Sequence, residues 1–160
     1  MKPIINLDDV ALEHHQHGDK FEARQGSVIE ALGARLLGCS LCVVPPGKRA
    51  WPFHNHHVNE ELFVILDGSG VVRIGADEYP IRKGDVITAK PGGQDTAHQL
   101  INTADVELRY LAISSEIPHE IVEYPDSGKV MVRTAPDPGL PSVFRYRGRL
   151  DAPRDYWDGE

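Results

Sequence analysis

From Ala34 to Ser114 the chain is a series of short apolar runs, and most gaps between them hold glycine or proline. ARLLGCSLCVV runs into PPG, and ELFVILD runs into GSG. VVRI, EYPI, VITA, AHQLIN and VELRYLAIS follow, separated by GAD, RKGD, KPGG and TAD. About eight such runs at near-regular spacing predict strands that turn back on one another. Strands do not alternate with long amphipathic helices, which argues against a parallel α/β sheet. The prediction is an all-β sandwich, barrel or jelly roll.

The flanks differ in composition. Residues 1–33 are mixed and polar, and SVIEALGARL has helical spacing that Gly33 interrupts. Residues 115–160 are rich in proline and charge. Within them SVFRYRGRL alternates, with Phe144, Tyr146 and Leu150 on one parity and Arg145, Arg147 and Arg149 on the other. That alternation predicts a further strand laid on the barrel. The aromatics of DYWDGE, Tyr156 and Trp157, are expected to pack rather than trail free. The chain is read as one domain, 1–160, with an N-terminal extension at 1–33, the barrel at 34–114 and a C-terminal arm at 115–160.

Seventeen Lys and Arg against 24 Asp and Glu give a formal charge of −7. That balance argues against a nucleic-acid partner, whose phosphates would need clustered basic charge. No apolar run approaches the roughly 18 residues of a membrane helix. The beginning MKPIINLDDV lacks a hydrophobic signal-peptide centre, so a cytoplasmic location is expected. The two cysteines, Cys39 and Cys42, are spaced C-x-x-C. They lie in a strand-like run, where residues three apart point to opposite faces, so they read as packed thiols rather than a redox pair or half a zinc site.

The chemistry is concentrated in PFHNHHVNEELFVILDG. His54 and His56 are two apart, which on a strand puts both imidazoles on one face. Glu61 follows after a gap that suits a turn and re-entry on the neighbouring strand. If Glu61 faces inward, so do Phe63 and Ile65, which would form an apolar wall beside the site and contact substrate. Glu60 and His57 fall on the opposite parity and rank second. In KGDVITAKPGGQDTAHQLIN, His98 opens another strand with Leu100 and Asn102 on its face. His54, His56, Glu61 and His98 thus form a candidate ligand set for one divalent transition metal, Fe, Mn, Ni, Co or Zn. Ca and Mg would want oxygen ligands. Four protein ligands on a six-coordinate ion leave two open positions. His14, His15, His17 and His119 carry no such pattern.

These motifs resemble those of the cupin superfamily. The first cupin motif appears as Gly47, six residues, His54-Asn55-His56, four residues, Glu61, six residues and Gly68. The second appears as Gly84, six residues, Pro91-Gly92-Gly93, four residues, His98, three residues and Asn102. Every signature residue type is present, and three gaps exceed the pattern by one, one and two residues. The resemblance covers about residues 38–114. It implies a double-stranded β-helix, the cupin jelly-roll barrel, with the metal inside. EYPDSGKV and the DYWDGE ending look like a group of small single-domain cupins, some labelled sugar-phosphate isomerases.

Three functions follow as expectations. One is a metal-dependent isomerase or lyase acting on a small oxygenated substrate. It would need a general base, with Tyr110, Glu60 and His57 as candidates. A phosphate on that substrate would call for cations such as Arg73, Arg82, Arg109 or the row Arg145, Arg147, Arg149, with Arg109 the preferred substrate contact. The second is an Fe(II) dioxygenase, and the third is a non-catalytic binder or sensor of a small molecule. ELFVILD is apolar on both parities, so it needs cover on both faces. A homodimer is therefore expected, with the terminal arms as the alternative cover.

Overall fold

The structure is a computed structural model and describes residues 3–134, 144–149 and 153–160. It is all-β, with thirteen strands and no α-helix among the described residues. Strands are numbered in chain order. Six form one sheet in the order β1 (Glu13–His17), β2 (Phe21–Ser27), β3 (Leu37–Val44), β10 (Leu108–Ser115), β5 (Glu61–Asp67) and β8 (Val86–Ala89). Four form a second, in the order β13 (Arg145–Arg149), β12 (Lys129–Arg133), β11 (Glu120–Tyr124) and β4 (Asn55–His56). Three form a third, in the order β7 (Asp77–Arg82), β6 (Ser69–Ile74) and β9 (His98–Ile101). All of these pairings are antiparallel. A bridge between His54 and His98 joins the second and third sheets, with backbone N–H···O contacts of 3.2 and 2.8 Å.

The core follows from side-chain alternation. Cys42 and Val44 from β3, Phe63 and Ile65 from β5, and Leu108 and Tyr110 from β10 all point inward. They meet Val72 of β6, Ile81 of β7 and Leu100 of β9. Each such apolar side chain taken from water contributes about 1.5–3 kcal/mol. Turns hold the strands in register where a side chain has no room. At Gly68 φ is +82°, and a Cβ would lie 2.3 Å from the Glu107 carbonyl oxygen, so only glycine fits the turn between β5 and β6.

The other face of the six-stranded sheet is covered by the N-terminal segment. Val10, Val28 and Leu41 are buried there, with Ile5, Leu7, Leu12, Leu66, Leu111 and Cys39 packed against them. The terminal arm thus supplies part of the cover that the doubly apolar ELFVILD requires. Cys39 and Cys42 fall on opposite faces of β3, in separate apolar clusters, as strand parity requires. Residues 1–33 contribute two strands rather than the helix suggested by SVIEALGARL. Within SVIEALGARL only a 3-10 turn forms, at Glu30–Leu32, ended by Gly33 in the left-handed conformation. Strand β1, EHHQH, has no apolar alternation because both its faces are largely open, which is why sequence periodicity passed over it.

The arm after the barrel also differs from expectation. β13 pairs with β12 at the outer edge of its sheet. Phe144 and Tyr146 stay exposed there, and Leu150 lies outside the described residues. Tyr156 and Trp157 are exposed as well and contact chiefly one another, with ring centroids 4.8 Å apart.

Candidate metal centre

Backbone hydrogen bonds frame the histidines before any side chain is considered. On β4, Asn55 points away from His54 and His56 and is fully buried. Its amide donates to the Gly92 carbonyl at 2.9 Å and to Glu123 at 3.2 Å. The Gly92 N–H donates back to the His56 carbonyl at 2.9 Å. A Cβ on Gly92 would meet the Thr96 side chain at 2.6 Å, so a glycine lets the Pro91–Gly93 turn close on β4. Asn102 is buried and structural. It donates to the carbonyls of Val44 and Val106 and accepts from the Ala104 N–H.

On this frame four side chains converge. Glu61 Oε2 lies 2.8 Å from His98 Nε2, 3.3 Å from His56 Nε2 and 3.9 Å from His54 Nε2. The His54 Nδ1–H donates to the Pro52 carbonyl at 2.7 Å, and the His56 Nδ1–H donates to Glu120 at 3.2 Å. With Nδ1 of each ring donating to those partners, Nε2 is the nitrogen that faces Glu61, and it offers a lone pair in the neutral ring. Glu61 Oε2 and His98 Nε2 are buried and form no hydrogen bond with each other despite their separation. Both are aimed at shared space. Lone pairs of one sign converging in a buried place are mutually repulsive unless a cation sits among them. His54, Glu61 and His98 offer donor atoms within 4.8 Å of one another and could hold a metal ion. Imidazole nitrogens with one carboxylate suit first-row divalent ions.

The protonation states agree. Burial, and then repulsion from His98, lowers His54 to about 4. Burial raises the Glu61 carboxyl, but the His56 and His98 side chains outweigh it and hold the group well below its usual range. For His56 burial acts downward, and Glu61 and Glu120 together reverse it. At neutral pH the centre therefore presents an ionised carboxylate and a neutral His54.

Glu120 is the residue that sequence reasoning missed. It is 3% exposed and accepts from the backbone N–H groups of Val58, Asn59 and Ile121 at 2.9–3.1 Å, as well as from the Asn59 amide. Burial opposes its ionisation, but the Asn59 donors and His56 hold its pKa low. A carboxylate bonded to the outer nitrogen of a ligand-type histidine fixes the ring's tautomer and orientation. The Asn59 side-chain Oδ1 also accepts from the Ile117 N–H and the Ser115 hydroxyl. The loop carrying His57–Glu60 is thereby tied to the strands beyond the barrel. A signal was present in EIVEY, where Glu120 shares parity with the apolar Val122.

A family model described as the cupin domain matches residues 40–114. An oxalate-binding protein of Thermotoga maritima is 33% identical over 114 residues, spanning 69% of this chain and 91% of that protein. The chain is a member of the cupin superfamily. A proposed sugar phosphate isomerase of Acidithiobacillus ferrooxidans superposes with a TM-score of 0.81 at 24% identity, over 96% of this chain and 98% of that one. A sugar phosphate isomerase from a cupin superfamily, of Silicibacter pomeroyi, gives 0.76 at 20% identity, over 94% and 98%. Both likenesses extend the shared fold beyond the barrel into the flanking strands of this cupin.

The centre opens on a cavity of about 190 Å³. Phe63, Leu100 and Tyr110 give it an apolar side, while Gln25, Ser40 and Ser114 give it a polar one. Phe63 lines the cavity as the sequence suggested, but Ile65 lies deeper in the core and does not reach it. Tyr110 lines the cavity, yet burial raises its pKa well above the usual tyrosine value, which suits a hydrogen-bond donor and not a base. Glu60 is exposed and faces away, its backbone N–H bonded to Ser115. His57 stands outside the cavity against Glu123 at 3.4 Å. Arg109 is placed on the outer surface, paired with Asp8 at 3.0 Å, because it has the opposite parity to Tyr110. Arg73 is held by Asp126 and stacks on Phe53 at 3.6 Å, and Arg82 lies exposed on β7. None of these three arginines lines the cavity.

Proposed function

We propose that this cupin binds one divalent transition metal through His54, His56, Glu61 and His98 and presents it to a small oxygenated molecule in the adjoining cavity. The convergence of Glu61 Oε2 with three imidazole Nε2 atoms, two of them on rings whose Nδ1 is held by an acceptor, carries this reading. An ion held there supplies Lewis acidity to a chelating carbonyl or carboxylate oxygen. The chain's own contribution is to fix the ligands through Pro52 and Glu120, to limit water with Phe63 and Leu100, and to offer hydrogen bonds from Gln25, Ser40, Ser114 and Tyr110. This division of polar and apolar walls suits a substrate with vicinal oxygens, and an isomerase or lyase is the favoured activity. The sugar phosphate isomerase names of the two structural neighbours support it.

A second reading is non-catalytic binding of a small dicarboxylate, favoured by the name of the 33%-identical relative. Elemental analysis of protein purified without chelator should give near one transition metal per chain. Isomerisation of a hydroxy-aldehyde or hydroxy-ketone under nitrogen supports the first reading. Tight oxalate binding without turnover supports the second. Consumption of oxygen on adding iron and substrate would overturn both in favour of a dioxygenase. Assembly is proposed as a homodimer, and light scattering that gives a monomer at micromolar concentration would exclude it.

A further inference from the structure

We propose that Arg35, Arg133 and Arg145 form a phosphate-binding vestibule at the mouth of the metal cavity. The active substrate would then be a short oxygenated chain carrying a phosphate at the end remote from its chelating oxygens. The inference rests on reading the cavity as the metal-centred substrate site.

The argument begins with strand register. Residues directly opposite in antiparallel pairs share a face of the sheet. His56 is opposite Val122, Val122 is opposite Met131, and Met131 is opposite Arg147. Two residues along each strand, and so on the same face, Glu120 is opposite Arg133, and Arg133 is opposite Arg145. His56, Glu120, Arg133 and Arg145 therefore occupy one face, and Arg133 lies two strand spacings from β4, about 10 Å. A hollow of about 620 Å³ is lined by Arg35, Arg133 and Arg145, and it shares Gly38, Cys39, Ser40 and Glu116 with the metal cavity. The two spaces share these lining residues, and the proposal places one elongated molecule across both.

Arg133 and Arg145 are like charges placed directly opposite, an arrangement that costs stability without an anion between them. The neighbour that should neutralise Arg133, Glu120, is already engaged by Val58, Asn59, Ile121 and His56. Arg133 Nε is buried with no hydrogen-bond partner, and among the described residues no carboxylate pairs with any of the three arginines. Glu30 and Glu116 line the same hollow, and Glu116 accepts from the Ser114 hydroxyl at 3.2 Å. Three forked guanidiniums against two carboxylates leave a positive excess in a chain of charge −7. Guanidinium forks match a phosphate dianion better than a single carboxylate does.

The test is a titration of the full chain with inorganic phosphate, followed by amide NMR, in wild type and in the metal-site variant His98→Ala. Saturable shifts at Gly38, Ser40, Arg133 and Arg145 are expected in both. Arg133→Gln and the exposed Arg145→Gln should each weaken binding by about tenfold or more, with bound metal unchanged. Arg145→Gln keeps the test decisive if Arg133→Gln fails to fold. Shifts confined to the metal ligands and lost in His98→Ala would place phosphate on the metal and overturn the vestibule. Equal binding in both arginine variants, or acetate binding as tightly as phosphate, would overturn it too. Metal content is read on the same samples, so absence of metal defeats the metal-centre reading separately from the anion site.

Discussion

Around β4, β5 and β9 the side chains of His54, His56, Glu61 and His98 are buried or half-buried and converge on one point. Along β11, β12 and β13 polarity is graded, from the buried Glu120 through half-buried Arg133 to exposed Arg145. The first wall has little freedom, because its donors are fixed by backbone bridges and by Pro52 and Glu120. The second begins as a support for the first and ends as a surface. The contrast teaches that a binding site of this kind is assembled from a rigid ligand wall and a separate wall that positions it. Residues at the outer end of the second wall, beyond Glu120, are expected to tolerate change while the first stays intact.

The strongest way to break this contrast is to remove a ligand. Glu61→Ala and His98→Ala should each lose the metal outright, measured by elemental analysis on folded protein. Full metal retention in both would move the centre elsewhere. Glu120→Gln probes the second wall. It keeps the shape but loses the charge that orients His56, and should weaken metal binding by about 10- to 100-fold in a chelator competition. An effect as large as that of Glu61→Ala would erase the distinction between ligand and support.

The apolar core behind the cavity makes a pH prediction. Burial chiefly raises the Cys42 thiol to about 12, although hydrogen bonds with Tyr110 and Trp51 act the other way. The folded chain holds a proton there that the unfolded chain releases near 9, so this group makes stability fall as pH rises from about 9 toward 12. Alkylation at pH 8 should spare Cys42 in the folded protein and modify it only on unfolding, as mass spectrometry would read. The smallest effect is expected at Arg109→Gln. Its partner Asp8 is largely exposed, so thermal stability should change by less than about 1 kcal/mol and metal content not at all. A large loss of metal in that variant would mean that the outer face communicates with the centre.

The elements that were legible in the sequence share one property: their information is local. Parity along β5 put Glu61, Phe63 and Ile65 on the same face and Glu60 on the other, since successive strand residues must alternate. The i, i+2 spacing of His54 and His56 carried the same logic. Parity says which side of a strand a residue occupies but not how far along it the cavity reaches, which is why Ile65 is core and Phe63 is wall. It also cannot say which side of a barrel a given strand turns inward. Arg109 looked as available as Tyr110 until the pairing of β10 with β3 and β5 fixed the inner face. The polar β1 and β2 were illegible because their strand state comes from pairing, β2 with β3 and β1 with β2, rather than from their own composition.

By itself the sequence determined the all-β architecture, through turn residues and run lengths, and the histidine and glutamate set that converges in it. Only the tertiary structure decided that Glu120, 59 positions after Glu61, orients His56. It also decided that Arg35 and Arg133, far apart along the chain, share a hollow with Arg145. The physical reason is that hydrogen-bond partners and like-charge neighbours are set by which strands lie side by side. That ordering is a property of the folded sheet, and no local spacing encodes it.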